Sequence, residues 1–504
     1  MEYKKFPALA YNPLSIAGAL IALTALLAIV FIFAVTLLTR TANPYVGIIL
    51  YLVLPVFLVL GALMVPAGMY RVWRRMKRGE EFYPKWPSID LNVRQERNAA
   101  MLFITGAAVF VLLNSVGVYK TYQFTESVAF CGLVCHRVME PQYTAYKLSP
   151  HSSLKCVQCH IGPGAGWYTR SKLSGLYQVY AVLANRYPRP IPAPIKNLRP
   201  VEIDCERCHW PGAFSGSRLI SFVHYLYDKA NTRWTVDLLF NTGGANPDGP
   251  GLGIHWHMNP DVRVEFIATD RQWQDIPWVR FTDLKTGRVT VYQDVTHPLP
   301  EKAVLASKKR VMDCVDCHNV PSHHFHSPDH AIDAALACGR IDASIPEIKR
   351  VAVEAMVKRY NSRPEAMKMI ASAIRGFYKN RYPAFYAGRR ALIERAIAAT
   401  RREYSENIFP DMRVRWSEYP DNAGHFIFPG CMRCHDGKHK SRGGGVIPNG
   451  CHTCHIILSQ GRGKSFETVR CPDLRRGERF EHPVNIAGAW KTVPCYECHT
   501  GRRP

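Results

Sequence analysis

Acidic residues are scarce: 40 Asp and Glu stand against 64 Lys and Arg in 504 residues, a formal charge of +24. Charge of either sign is missing from three runs, residues 13–39 (PLSIAGALIALTALLAIVFIFAVTLLT), about 45–70 and about 99–119. An uncharged apolar run of that length is too long for a soluble surface helix and long enough to cross a hydrocarbon core of about 30 Å. A secretion signal is the competing account of the first run, but the run is too long and lacks a clear small-residue cleavage site, so a retained helix is expected. Three retained transmembrane helices are predicted.

The connection between the second and third runs, RVWRRMKRGEEFYPKWPSIDLNVRQER, carries eight Lys and Arg, whereas the first connection has only Arg40. Positive residues stay on the cytoplasmic side, so the N-terminus and this loop are expected in the cytoplasm. Everything after residue 120 is then expected outside the inner membrane, in the periplasm.

Of the sixteen cysteines only Cys338 and Cys471 stand alone. The others form seven pairs, each followed directly by a histidine: Cys131/Cys135 with His136, Cys156/Cys159 with His160, Cys205/Cys208 with His209, Cys314/Cys317 with His318, Cys431/Cys434 with His435, Cys451/Cys454 with His455 and Cys495/Cys498 with His499. C-x-x-C-H is the attachment signature of c-type haem, whose vinyl groups take the two thiols while the histidine ligates iron. A single C-x-x-C also suits a zinc ribbon or a redox disulfide. Six strict repeats each closed by histidine point instead to covalent haem, seven in all. An oxidising compartment for thiol chemistry agrees with the expected periplasmic side. Each haem brings two propionates, which would offset roughly 14 positive charges. The basicity is therefore no argument for nucleic acid.

The fold expected is mixed: a three-helix transmembrane anchor (1–120), then a loop-rich multihaem cytochrome c domain packed around porphyrin, with a small β insert and a helical segment. Sites one to three fall in 121–213. Residues 214–310 hold no motif, and TRWTVDLLF, VRVEFIATD and PWVRFTDLKTGRVTVYQDV alternate apolar and polar residues as strands do. The fourth site falls in 311–340. A helical segment is expected over 341–410, with capping boxes at Ser344-x-x-Glu347 and Ser362-x-x-Glu365. Sites five to seven lie among loops in 411–504.

The stretches YKLSPHSSLKCVQCHIGPGAGWYTRSKLSGLYQV and RYPRPIPAPIKNLRPVEIDCERCHWPG resemble the NapC/NirT family of membrane-anchored multihaem quinol dehydrogenases. The similarity covers about 120–213 and continues more loosely to MDCVDCHNVPSHHFHSPDH. It implies oxidation of a membrane quinol, menaquinol as a rule, and delivery of electrons to a periplasmic redox protein or another multihaem cytochrome. Members commonly have four haems and one membrane helix, so three helices, a β insert and three further haems are departures. The plan is closer to the long heptahaem inner-membrane cytochromes that feed extracellular respiration.

The resemblance also implies roles for single residues. In the family the haem nearest the membrane takes a methionine ligand soon after its C-H; here that position falls on Met139, and the extra residue of Cys131-x-x-x-Cys135 can turn His136 away from iron. Lys172 falls on the quinol-site lysine, with Glu140 and Gln178 as candidates for proton acceptance and quinol contact. His151 matches a distal ligand reaching the third haem. Six bis-histidine haems need six distal ligands among thirteen remaining histidines; His224, His324, His425, His439 and His482 complete the expected set, with His257, His323, His326 and His330 as substitutes. Two other functions compete. A haem wire within a larger complex would need no quinol site, and a reductase of small oxyanions would need an open iron, often marked by lysine in the motif. Every motif here ends in histidine, which argues against the reductase.

Overall fold

The computed structural model describes residues 8–10, 12–39, 53–79, 90–134, 136–161, 165–195, 204–209, 216–243, 253–462 and 477–501. The chain divides into two compact units, Met1–Cys131 with Cys156–Asn185, and Gly132–Lys155 with Arg186–Pro504.

In the first unit, α1 (Pro13–Thr39) packs along α2 (Leu54–Met76). Small residues set the approach: a Cβ on Gly18 would lie 2.6 Å from that of Met64, and one on Gly61 would lie 2.6 Å from the backbone of Ala22. Where lipid is as apolar as leucine, such close backbone contact and a few polar bonds are what hold helices together. Ser15 supplies one, its hydroxyl donating to the Val65 carbonyl at 2.8 Å. Pro13–Val30 and Leu54–Met76 are long and apolar enough to cross a bilayer. The third uncharged run lies within α3 (Arg94–Thr125), 32 residues long, whose side chains at 107–118 fall outside the described residues. The unit ends with α4 (Ala165–Leu183).

The second unit holds two antiparallel sheets. β1 (Ser217–Tyr225), β2 (Arg233–Asn241) and β8 (His455–Arg462) form one, in that order. The other runs β6 (Arg310–Val311), β3 (Val262–Ile267), β4 (Trp278–Asp283), β5 (Val289–Asp294) and β7 (His439–Ser441). The alternating stretches do form β2 to β5. The sheets are not confined to 214–310, however, because β7 and β8 come from the segment expected to be loops. They cover what would otherwise be open hydrogen-bonding edges of β5 and β2. Val264, Phe266, Ile276, Val279 and Ile447 make a small buried core, with Cys434 packed against it.

Four helices follow the fourth motif: α5 (Pro328–Ala337), α6 (Ile348–Val357), α7 (Arg363–Arg381) and α8 (Pro383–Asn407). Ala366, Ile370, Ile374 and Tyr378 recur every four residues on α7, and all are fully buried. Ser362 caps α7 by accepting from the Glu365 amide, as its spacing predicts. Ser344 caps nothing: its amide bonds Asp342, and Glu347 turns left-handed (φ 58°), so α6 starts only at Ile348.

Candidate functional site

Each attachment motif described is one tight turn. Cys156–His160, Cys314–Cys317 and Cys495–Cys498 are helical, and Gly430–Arg433 and Cys451–Thr453 are 3₁₀ turns. In the third, fourth, fifth and seventh motifs the histidine amide donates to the carbonyl of the first cysteine, at 2.7, 2.8, 3.0 and 2.7 Å. Residues i, i+3 and i+4 of such a turn share a face. Two thiols and one imidazole are thereby presented together, as covalent haem attachment requires. The first motif differs: Phe130–Val134 forms a π-helical turn, which accommodates one residue more than an α turn, and Cys131 lies in it. Cys135 and the His136 side chain fall outside the described residues, as does Cys471.

The motifs are not enclosed to the same degree. Cys159 of the second motif and Cys208 of the third are exposed, as are Cys451 and Cys498 in the last two. Cys434, by contrast, sits against the core between β3 and β4. The physical reason is the brevity of the turns: one revolution has no apolar face of its own to bury, so a thiol is covered only where a sheet or helix lies over it. Cys159 and Cys208 therefore lie at the protein surface rather than within it.

Burial pushes Cys317 and Cys434 up to about 12 and Cys454 up to about 11. Cys431 adds to the effect on Cys317 and on Cys454, which brings these three motifs close together. Cys495 is raised by burial and also feels Cys451, joining the seventh to the sixth. In the first unit a hydrogen bond from Cys131 lowers Cys156 to about 7, so the first two motifs abut.

Five histidine pairs stand out. His209 faces His151 at 6.1 Å between ring centres, His318 faces His255 at 6.3 Å, His435 faces His257 at 5.8 Å, His455 faces His425 at 6.1 Å and His499 faces His482 at 6.1 Å. Two imidazoles bound to one metal from opposite sides, each with a bond of about 2 Å, have ring centres about 6 Å apart. In every pair one member closes an attachment motif. The donor set therefore fits haem iron. Burial also lowers His455 to about 4 and lowers His160, His318, His425, His435 and His499, keeping these rings in the neutral form that binds metal.

Three expected distal ligands are placed elsewhere. His439 is a correction: its Nδ1 contacts Asp436 at 2.9 Å and its Nε2 the Ile276 carbonyl at 2.7 Å, so both nitrogens are committed to protein groups. His224 leans on Asp333 at 3.3 Å and on the Phe426 ring, not on a motif histidine. His324 contacts Asp421 and the ring of His326, which in turn stacks on His330. His323 Nδ1 meets the Gln142 carbonyl at 3.1 Å. The motif-facing histidine that sequence reasoning missed altogether is His255; only its neighbour His257, expected as a substitute, marked the motif-free IHWHM segment.

For quinol, Lys172 on α4 reaches Glu126 at 3.1 Å. Glu126 caps the C-terminal end of α3 and is buried, and both charges are felt at the Cys131 thiol. Beyond Lys172, α4 exposes Leu173, Leu176, Tyr177, Tyr180 and Leu183. Glu140 is paired with Arg363 at 2.6 Å. Gln178 is exposed and bonds Ser174. Met139 is half-buried within the helix His136–Leu148.

The N-terminal region of the NapC/NirT cytochrome c family matches residues 93–190. The chain is similar to the cytochrome c-type protein ImcH of Geobacter sulfurreducens, with 40% identity over 501 residues that span 99% of this chain and 97% of the relative. No solved structure matches it.

Proposed function

The chain belongs to the NapC/NirT cytochrome c family, and from that premise we propose that it is a quinol dehydrogenase carrying seven covalent c-type haems, with menaquinol as electron donor. Haem, when bound, supplies one-electron redox chemistry; the chain's own residues hold the quinol and take its protons. Oxidation to the quinone releases two electrons and two protons. The observation that carries the reading is the Lys172–Glu126 pair beside Cys131 at the end of α3. A quinol hydroxyl donates to the Glu126 carboxylate, which holds the proton. The Lys172 ammonium, donating to that hydroxyl's oxygen, stabilises the negative charge that develops as the O–H bond breaks, and the proton of the second hydroxyl passes to water at the bilayer surface. The apolar face of α4 lies toward the acyl chains and admits the quinol tail.

Met139 completes the ligation of the first haem in this reading, and a thioether ligand favours the reduced iron. His151, His425 and His482 are distal ligands of the third, sixth and seventh haems. Three membrane crossings put residue 85 in the cytoplasm and the motifs in the periplasm, where a soluble redox protein or a second multihaem cytochrome collects the electrons.

The test is reduction of the purified haem protein by a menaquinol analogue. Lys172→Met should slow it at least tenfold and leave dithionite reduction unchanged. Wild-type protein that dithionite reduces and the quinol analogue does not would be a haem wire without its own donor site. Pyridine haemochrome and intact mass should give seven haems, and any lower count ends that part of the proposal.

A further inference from the structure

We propose that the single turn Ile254–Met258, inside the segment that has no attachment motif of its own, clamps two haem irons: His255 ligates the fourth opposite His318, and His257 the fifth opposite His435. The inference rests on the haem reading of the motifs and adds to it the two ligands that hold the middle of the chain of haems.

Four observations carry it. Both ring separations, 6.3 and 5.8 Å, are those of two imidazoles sharing one metal. Both rings are fixed through Nδ1, His255 against the Thr242 carbonyl at 3.0 Å and His257 against the Ile254 carbonyl at 2.9 Å. A histidine whose Nδ1–H donates to a carbonyl keeps its lone pair on Nε2, the outer-shell arrangement metal-binding histidines use. The turn is 3₁₀, with about three residues per revolution, so positions i and i+2 project in different directions. Two rings one residue apart can thus serve two irons but not one. Finally, the receiving motifs are neighbours, since Cys317 lies close enough to Cys431 and Cys434 to interact with them electrostatically.

The turn is held from both sides. Trp256, between the two histidines, stacks on Phe281 of β4 at 5.4 Å. Gly253 enters the turn at φ 91° with its Cα so close to Asn241 that a Cβ would lie 2.5 Å from the Asn241 carbonyl oxygen. Only glycine combines that backbone angle with that approach. The two sheets therefore serve as a rigid frame that sets the spacing of two irons, and with it the rate of electron transfer between them.

The ring angles give the test its resolution. His255 and His318 are near-parallel at 17°, His257 and His435 near-perpendicular at 85°. In ferric low-spin haem, parallel imidazoles give a rhombic EPR signal and perpendicular ones a signal of large maximal g. Full-length His255→Ala should lose one haem equivalent of the rhombic class, and His257→Ala one of the large-g class, each replaced by a high-spin signal that added imidazole reverses. Haem content, set by thiols that neither variant touches, should equal wild type by pyridine haemochrome. Unchanged low-spin signals at full haem content overturn the clamp and leave the haem reading standing; a wild-type chain without haem at these motifs overturns the haem reading itself. Should the alanine variants not accumulate, His255→Met and His257→Met keep a ligand, and each should convert one bis-histidine spectrum to a histidine–methionine one. Methionine variants with only the wild-type spectrum refute the assignment equally.

Discussion

Between Pro328 and Asn407 four helices bury Ile332, Ile348, Met356, Ile370, Ile374, Tyr378 and Ile393 to zero exposure. The described segments that bear the last three motifs, 425–462 and 477–501, bury only Ile447 and Ile457 among large apolar side chains, and leave Val446, Val484 and Ile486 exposed. The bundle has a side-chain core of the ordinary kind; the motif segments are short turns around thiols and imidazoles with little apolar packing of their own. Hydrophobic burial scales with the area removed from water, so the first region can order itself and the second depends on the porphyrin it encloses.

The largest test of that contrast is removal of haem. In protein made without haem maturation, hydrogen exchange should find 425–462 and 477–501 unprotected while 328–407 keeps slow amides. Simultaneous loss of protection in both would show that the bundle, too, leans on porphyrin. Next in size is Lys349→Met. Lys349 is buried with its ammonium 2.8 Å from Asp329 and 2.7 Å from Asp333, so the variant leaves two carboxylates without their cation. A loss of about 3–5 kcal/mol is expected in denaturant unfolding followed by helical signal. Ile374→Ala opens a cavity on the buried face of α7 and should cost about 2–5 kcal/mol by the same measurement. The bis-histidine spectra should stay intact at denaturant concentrations that melt the bundle, and a common midpoint would remove the distinction.

The smallest effect concerns pH. The Tyr382 hydroxyl, bonded to Glu347 at 2.7 Å, and the Arg350 guanidinium hold the Glu347 carboxyl below the usual carboxylate range, against a modest opposing effect of burial. A depressed folded value contributes stability that is present above the unfolded value of about 4.3 and is lost as pH falls through the folded one. Wild-type melting temperature should therefore drop more steeply below about pH 4.3 than that of Glu347→Gln. Equal slopes would mean that the interaction contributes nothing to the bundle.

Much of this was legible in the residues alone. β2 to β5 follow from period-two alternation, α7 from Ser362 and its four-residue apolar repeat, and the uncharged runs from length. The capping box at Ser344 failed although Ser344 and Ser362 look alike in sequence, each with proline two residues on; only the left-handed Glu347 separates them. β7 and β8 were invisible as strands, since three residues at 439–441 and a run that begins inside a motif show no alternation of their own and gain strand geometry from the edges they cover. Nor does the spacing of a motif say how deeply it lies: Cys208 and Cys434 hold the same place in their turns, yet the first is exposed and the second packs on a sheet core.

The site divides along the same physical line. Two thiols and a histidine at i, i+3 and i+4 need only one turn to share a face, so chemistry of that range is written locally and the sequence by itself determined where the paired-thiol and histidine motifs stand. The histidines that face these motifs are a different matter. His151 meets His209, His425 meets His455, and His255 and His257 meet His318 and His435, each from another part of the chain. Likewise Lys172 finds Glu126 across 46 residues while Glu140 is taken by Arg363 across 223. Any of the twenty histidines could ligate iron and any glutamate could accept a proton. Which of them meet a motif histidine or a lysine was decided by the tertiary structure, because ligation and ion pairing act over a few ångströms and only packing brings residues so distant in sequence within that range.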